Sequence, residues 1–126
     1  MNRSIAFKVP YASGCAVSEG VCWVEDDGLM LEFRARDALV GAFKGEVKEL
    51  KLAWAELRQV EHLALAFRAR LRIRTKRMSA ISELPGSEGA EVVLRCKGRD
   101  RAALEELSHE VQKRMAAAEL LGGGEA

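Results

Sequence analysis

Alternating apolar and polar residues recur along this chain at the two-residue period of β-strands. The clearest stretch covers residues 67–77, where cations alternate with small or apolar side chains. Because successive side chains of a strand point to opposite faces, this spacing predicts a half-buried antiparallel strand with a basic outer face. The cations of this stretch are Arg68, Arg70, Arg72, Arg74, Lys76 and Arg77.

Other segments carry the same period. Residues 17–24 are strand-like, and residues 29–34 alternate directly after the turn signal of residues 25–28. Residues 91–97 have a fully apolar row, and residues 84–89 give the strongest loop signal. Together these patterns predict a mainly β chain of about seven strands.

Residues 47–65 carry two competing signals. They are rich in good helix formers, and Val47, Leu50 and Trp54 would share one face of a helix. Leu50, Leu52 and Trp54 also alternate with polar or small residues, and the strands predicted on either side need sheet partners. We therefore predict strand here.

The period changes after Gly98. Apolar residues then follow helical spacing, with Asp100 placed to cap the start and Gly122 to Gly124 placed to end the helix. This predicts one amphipathic helix in a single domain of residues 1–121, with a flexible tail at residues 122–126. The apolar stripe is Leu104, Leu107, Val111, Met115 and Ala118.

Composition narrows the function classes. The chain has 126 residues and a formal net charge of only +1, so a basic function must come from local clustering. Three cysteines without a metal spacing favour free thiols in a reducing compartment. We find no apolar run of signal-peptide or membrane-span length, and we therefore expect a cytoplasmic protein.

A β meander that ends in one helix resembles the pleckstrin-homology-like fold, including its GRAM-like bacterial members. The resemblance implies a partly open barrel of two near-orthogonal antiparallel sheets, capped by the C-terminal amphipathic helix. It implies a non-catalytic binding or scaffolding module. It rests on residues 28–33, 52–61, 70–75, 84–86 and 91–96, and on the helix opening at Asp100 and Arg101.

Members of this family that bind phosphoinositides do so in the first hairpin loop, through a Lys-x-(K/R)-x-R type run. The loop predicted as the first hairpin here is Glu25-Asp26-Asp27-Gly28, which has three acids and no base. This departure argues against specific recognition of inositol phosphates.

The basic strand is the first candidate site. Its arginines suit phosphates or carboxylates on an acidic protein or an anionic lipid surface. The alternative is a solvated face paired with Glu61 or Glu91 on neighbouring strands, which we favour. The strand interleaves no aromatic side chains for base stacking, which disfavours nucleic acid.

The second candidate is an apolar contact formed by Leu39, Val40 and Phe43 at a predicted hairpin tip. Such a tip could dip into a membrane interface or dock on another protein. The alternatives are that these side chains fold back over a barrel end, or that the flanking strands run longer than predicted. We favour burial within the domain or a subunit interface over membrane contact.

Enzyme chemistry finds little support. His62 and His109 are the only histidines, and their spacing from the cysteines predicts neither a nucleophile nor a metal site. Cys22, Cys96, Trp23 and Trp54 are predicted core residues.

We therefore predict no catalytic, metal or cofactor residues and no small-molecule substrate. The predicted function is recognition of a protein partner or self-assembly into a homo-oligomer. The alternative is peripheral binding to anionic lipids through residues 68–77.

Overall fold

The computed structural model describes residues 3–65 and 68–122, which form seven strands and one long helix. The mainly β character and the C-terminal helix are therefore confirmed. The elements are β1 (Ile5–Tyr11), β2 (Ala16–Val24), β3 (Gly28–Asp37), β4 (Phe43–Ala53), β5 (Leu57–Leu65), β6 (Arg68–Thr75), β7 (Glu91–Cys96) and α1 (Arg101–Gly122).

The described strands form one antiparallel sheet in the order β4-β3-β2-β1-β7-β6-β5. Consecutive strands β4 and β5 therefore lie at opposite edges, although only the 3-10 turn Trp54–Glu56 separates them. Six strand spacings would place the edges of a flat sheet about 29 Å apart. A link this short spans at most about 14 Å, so the sheet must coil.

One face of the coiled sheet forms the core. In β6, Ala69, Leu71 and Ile73 are buried, while the arginines between them point outward. The apolar rows predicted for the other strands also face the core, where most of their side chains are buried and Leu50 and Cys96 are partly buried. These rows include Leu29, Leu31, Phe33, Val92 and Leu94.

Helix α1 covers one end of the core. Leu104, Leu107 and Val111 are buried, and the helix packs against β5, β6 and the Trp54–Glu56 turn. The side-chain amide of Gln112 donates a hydrogen bond of 2.9 Å to the backbone carbonyl of Val60 on β5. The helix therefore lies against the β5 edge of the sheet.

The segment between β6 and β7 also contributes to the core. Ile81 and Leu84 in this segment are fully buried. The Ser18 hydroxyl donates a hydrogen bond of 3.0 Å to the carbonyl of Pro85, which ties the segment to β2. The strong loop signal at residues 84–89 is correct, but the burial of these two side chains was not predicted.

The structure confirms one local prediction and corrects two others. Strand over residues 47–65 is confirmed, interrupted only by the turn Trp54–Glu56. Strand β1 was not predicted, so the first hairpin loop is actually residues 12–15, and residues 25–27 form the second, since Gly28 begins β3. Trp23 is half-buried on the outer face, since Cys22 and Val24 on either side point inward.

The predicted ends of two segments fall partly outside the described residues. Helix α1 includes Gly122, and the rest of the predicted tail, residues 123–126, lies outside them. Phe67 at the start of the predicted basic stretch also lies outside.

Replacement of Leu84 with Ala tests the role of the β6–β7 segment. Because Leu84 is fully buried, we expect Leu84→Ala to lower the free energy of unfolding by about 2–5 kcal/mol in urea titrations. Leu120→Ala is the matched control, since Leu120 is largely exposed. Equal effects of the two variants would show that the segment is not part of the core.

Candidate functional site

The basic strand predicted from the sequence is β6. Arg70, Arg72 and Arg74 are half-buried on the outer face of the sheet, and Arg68 is exposed there. Lys76 and Arg77 are exposed just beyond the strand end. We call the four arginines of β6 the basic face.

Two arginines of the basic face are already paired with acids. Arg72 lies 3.3 Å from a carboxylate oxygen of Glu61 on β5. Arg74 lies 2.7 Å from one carboxylate oxygen of Glu91 on β7. The other carboxylate oxygen of Glu91 lies 4.0 Å from Arg72. The paired arrangement that we favoured from the sequence therefore holds for half of this face.

The other two arginines have different neighbours. Arg70 stands directly opposite Arg95 of β7, and its other cross-strand neighbour is Leu63. Burial lowers the pKa of Arg70 from its ordinary value, and the charges of Arg95 and Arg68 lower it further. Among the described residues, neither Arg68 nor Arg70 makes an ion pair, so this half of the face is positively charged.

The predicted apolar contact lies at the tip of the β3–β4 hairpin. The carboxylate of Asp37 accepts hydrogen bonds from the backbone N–H groups of Leu39 at 2.8 Å and Val40 at 3.3 Å. These bonds fix the turn while leaving Leu39 81% and Val40 76% exposed. Burial of the tip within the domain is therefore wrong, while the other part of that prediction, a subunit interface, stays a prediction.

Apolar side chains are also exposed along the start of β4. Phe43 is 50% exposed and Val47 is 55% exposed. The guanidinium of Arg34 lies 4.6 Å from the centroid of the Phe43 ring and covers one of its faces. We call Leu39, Val40, Phe43 and Val47 the hairpin strip.

Residues with catalytic or metal-binding chemistry are scattered. His62 lies on β5 opposite Leu71 of the core row, while His109 is exposed on α1. Within residues 3–65 and 68–122, no three His, Cys, Asp or Glu side chains are grouped closely enough to hold a metal ion.

The two strand cysteines are poor nucleophiles. Burial raises the pKa of Cys22, and the neighbouring Cys96 adds to the rise. Burial, followed by the charge of Asp100, raises the pKa of Cys96 to about 12. Both thiols therefore behave as small apolar side chains of the sheet.

Arg95 is the important residue that the sequence analysis missed. The alternation of β7 already places it on the outer face. Its position opposite Arg70 depends on the pairing of two strands joined by a long segment, which the periodicity of either strand does not contain.

Alkylation of the native protein tests the thiol environments. With a pKa of about 12, on the order of one Cys96 side chain in ten thousand is a thiolate at pH 8. We expect iodoacetamide at that pH to label the exposed Cys15 and to spare Cys22 and Cys96 until the chain is unfolded. Mass spectrometry counts the labels, and rapid labelling of Cys22 in the native protein would contradict its buried position.

Comparison with known proteins adds no relative. No family model, no curated protein and no solved structure matches this chain. In the part of the chain that is described, no helix has the length and apolar composition needed to cross a bilayer.

Proposed function

We propose that this chain is a non-catalytic binding module that assembles with a second copy of itself through strand β4. The observation that carries the proposal is the edge position of β4 together with its exposed, self-complementary sequence. A different protein that offers a strand of similar pattern would use the same surface.

We also propose that the architecture is pleckstrin-homology-like, a partly open barrel of two near-orthogonal sheets. Support comes from the strand order and from the short Trp54–Glu56 link between strands at opposite edges. The position of α1 against β5 and β6 is a further support. Such a fold hosts many binding functions, so the surface must decide among them.

The two edges of the sheet differ in how they are protected. At the β5 edge, α1 packs along the strand, and the side-chain amide of Gln112 donates a hydrogen bond to the backbone carbonyl of Val60. At the β4 edge, Gly45 has a positive φ of 72° and lies in a bulge near the hairpin tip, where the pairing with β3 shifts register. The strand then continues with exposed residues 46–49, and an exposed edge of this kind readily pairs with another strand.

The sequence of this edge is complementary to itself in an antiparallel pair. A two-fold axis through Val47 would set Val47 against its copy and Glu46 against Lys48 of the second chain. The axis makes the Glu46–Lys48 contact twice, so the pair has two opposite-charge contacts flanking one apolar contact. This register supports a dimer over open-ended growth.

The hairpin strip enlarges the same surface. Val47 and Phe43 both lie on β4, and the largely exposed Leu39 and Val40 precede them at the tip. Exposed apolar side chains concentrated on one hairpin typically mark a contact surface. The strip therefore provides the hydrophobic area that strand pairing alone lacks.

Light scattering after size exclusion tests self-assembly. We expect a dimer for the native chain, and we expect Glu46→Lys to raise the dimer dissociation constant about tenfold, because two attractive contacts become repulsive. The double variant Glu46→Lys with Lys48→Glu should restore the dimer, since the opposite charges face each other again.

Either of two results would contradict this proposal. A native chain that stays monomeric at high concentration excludes β4 self-pairing. A dimer that is insensitive to Glu46→Lys and to Val47→Arg must use another surface.

A second candidate function is peripheral binding to an anionic membrane. The specific observation is that Arg68, Lys76 and Arg77 are exposed and make no ion pair among the described residues. The exposed apolar tip at Leu39 and Val40 would add interfacial contact.

Sedimentation with phosphatidylserine vesicles tests membrane binding. Each basic side chain near an anionic surface contributes about 1 kcal/mol, so reversing Arg68, Lys76 and Arg77 to Glu should weaken binding at least about a hundredfold. Binding should also weaken steeply with salt. Arg74→Gln is the control, because Arg74 is paired with Glu91. Equal vesicle binding by the triple variant would exclude this candidate.

A further inference from the structure

Three cations stand side by side across the outer face of the sheet. Arg70 of β6 is directly opposite Arg95 of β7, and Arg95 is directly opposite Lys8 of β1. Neighbouring strands are about 4.8 Å apart, so the three Cα atoms lie within about 10 Å. We call these three residues the cation row.

The cation row is neutralised only at one end. Lys8 lies 3.3 Å from a carboxylate oxygen of Glu19, and the same carboxylate is bonded to Arg36. Arg70 and Arg95 make no ion pair with any carboxylate in residues 3–65 and 68–122. Like charges directly opposite each other destabilise a sheet, so this pair opposes folding unless something compensates it.

Two other arginines of β6 have their charges neutralised by glutamates of neighbouring strands. Arg72 and Arg74 sit on the same face and strand, and each contacts a glutamate on a neighbouring strand. Arg68 also makes no ion pair but is exposed, whereas Arg70 is half-buried and stands opposite another cation. A half-buried arginine beside a like charge is the arrangement expected where the counter-charge comes from a ligand.

A cavity lies beside the row. Its volume is about 340 Å³, and both Arg70 and Arg95 line it, together with Val9, Pro10 and Gly86. Strand β1 pairs in register with β7 at Lys8 and Arg95, and the cavity is a cleft beside this pair. Glu91 also lines the cavity, but Arg74 holds its carboxylate, whereas Glu88 at the rim is exposed.

We propose that Arg70 and Arg95 bind a phosphate monoester in this cleft. Two guanidinium groups offer several N–H donors and two positive charges, which a phosphate monoester matches with three oxygens and nearly two negative charges. A carboxylate would leave one charge uncompensated. The site involves β1, β6 and β7, so it does not depend on pairing through β4.

Thermal unfolding with added anions tests this site. O-phosphoserine, the probe, should raise the unfolding temperature by about 5–10 °C at a hundredfold excess over its dissociation constant. Sodium acetate and sodium chloride at the same ionic strength should not. The variant Arg70→Gln with Arg95→Gln should lose the response.

The stability of the variants without ligand gives an independent readout. The double glutamine variant should unfold at the same temperature as the native chain or higher, because a repulsion is removed. The control Arg114→Gln should keep the response to O-phosphoserine, since Arg114 is paired with Glu110 on α1 and does not line the cleft.

Two arms separate the sources of the phosphate. Binding to phosphatidic acid vesicles that the double variant loses supports a lipid headgroup, and a response to O-phosphoserine without any vesicle binding supports a soluble ester. The proposal is overturned if chloride gives the same shift as the phosphate ester. It is also overturned if the double variant responds like the native chain.

Discussion

The short link between β4 and β5 is the constraint on which this fold depends. The strands it joins lie at opposite edges of a seven-stranded sheet, and only Trp54–Glu56 separate them. The sheet must therefore coil, and coiling turns a single apolar face into an enclosed core. The backbones of β2 and β3 approach closely at Gly20, where an added Cβ would lie 1.8 Å from the carbonyl oxygen of Glu32 on β3.

Local periodicity was sufficient to predict the elements but not their arrangement. The two-residue period of residues 68–75 and 91–96 and the helical spacing after Gly98 depend only on near neighbours along the chain, and these elements are confirmed. Burial of Ile81 and Leu84 depends on a fold-back of an irregular segment, which has no period. Strand β1 alternates through Ile5, Phe7 and Val9, a signal that was present but not used.

For the candidate surfaces, too, the sequence predicted the local pattern but not the neighbours across strands. The sequence placed the arginines of β6 on one face, and it named Glu61 and Glu91 as partners, which Arg72 and Arg74 do contact. It could not identify Arg95 as the neighbour of Arg70, because the register between two strands is set by the whole sheet. A one-residue slip of β7 would move Arg95 to the core face, so the apolar row of that strand fixes the position of the charge.

The chain has one described helix and two sheet edges, so the helix can cover only one of the two edges. Helix α1 covers β5, because its apolar stripe must bury against the open end of the coil where β5 and β6 lie. Strand β4 at the other edge is left with Val47 and Phe43 exposed. Its positive-φ Gly45 lies in a bulge, because the pairing with β3 shifts register between Lys44 and Lys48. In the proposed dimer, pairing about a two-fold axis would leave no free copy of this edge, which opposes growth into a fibre.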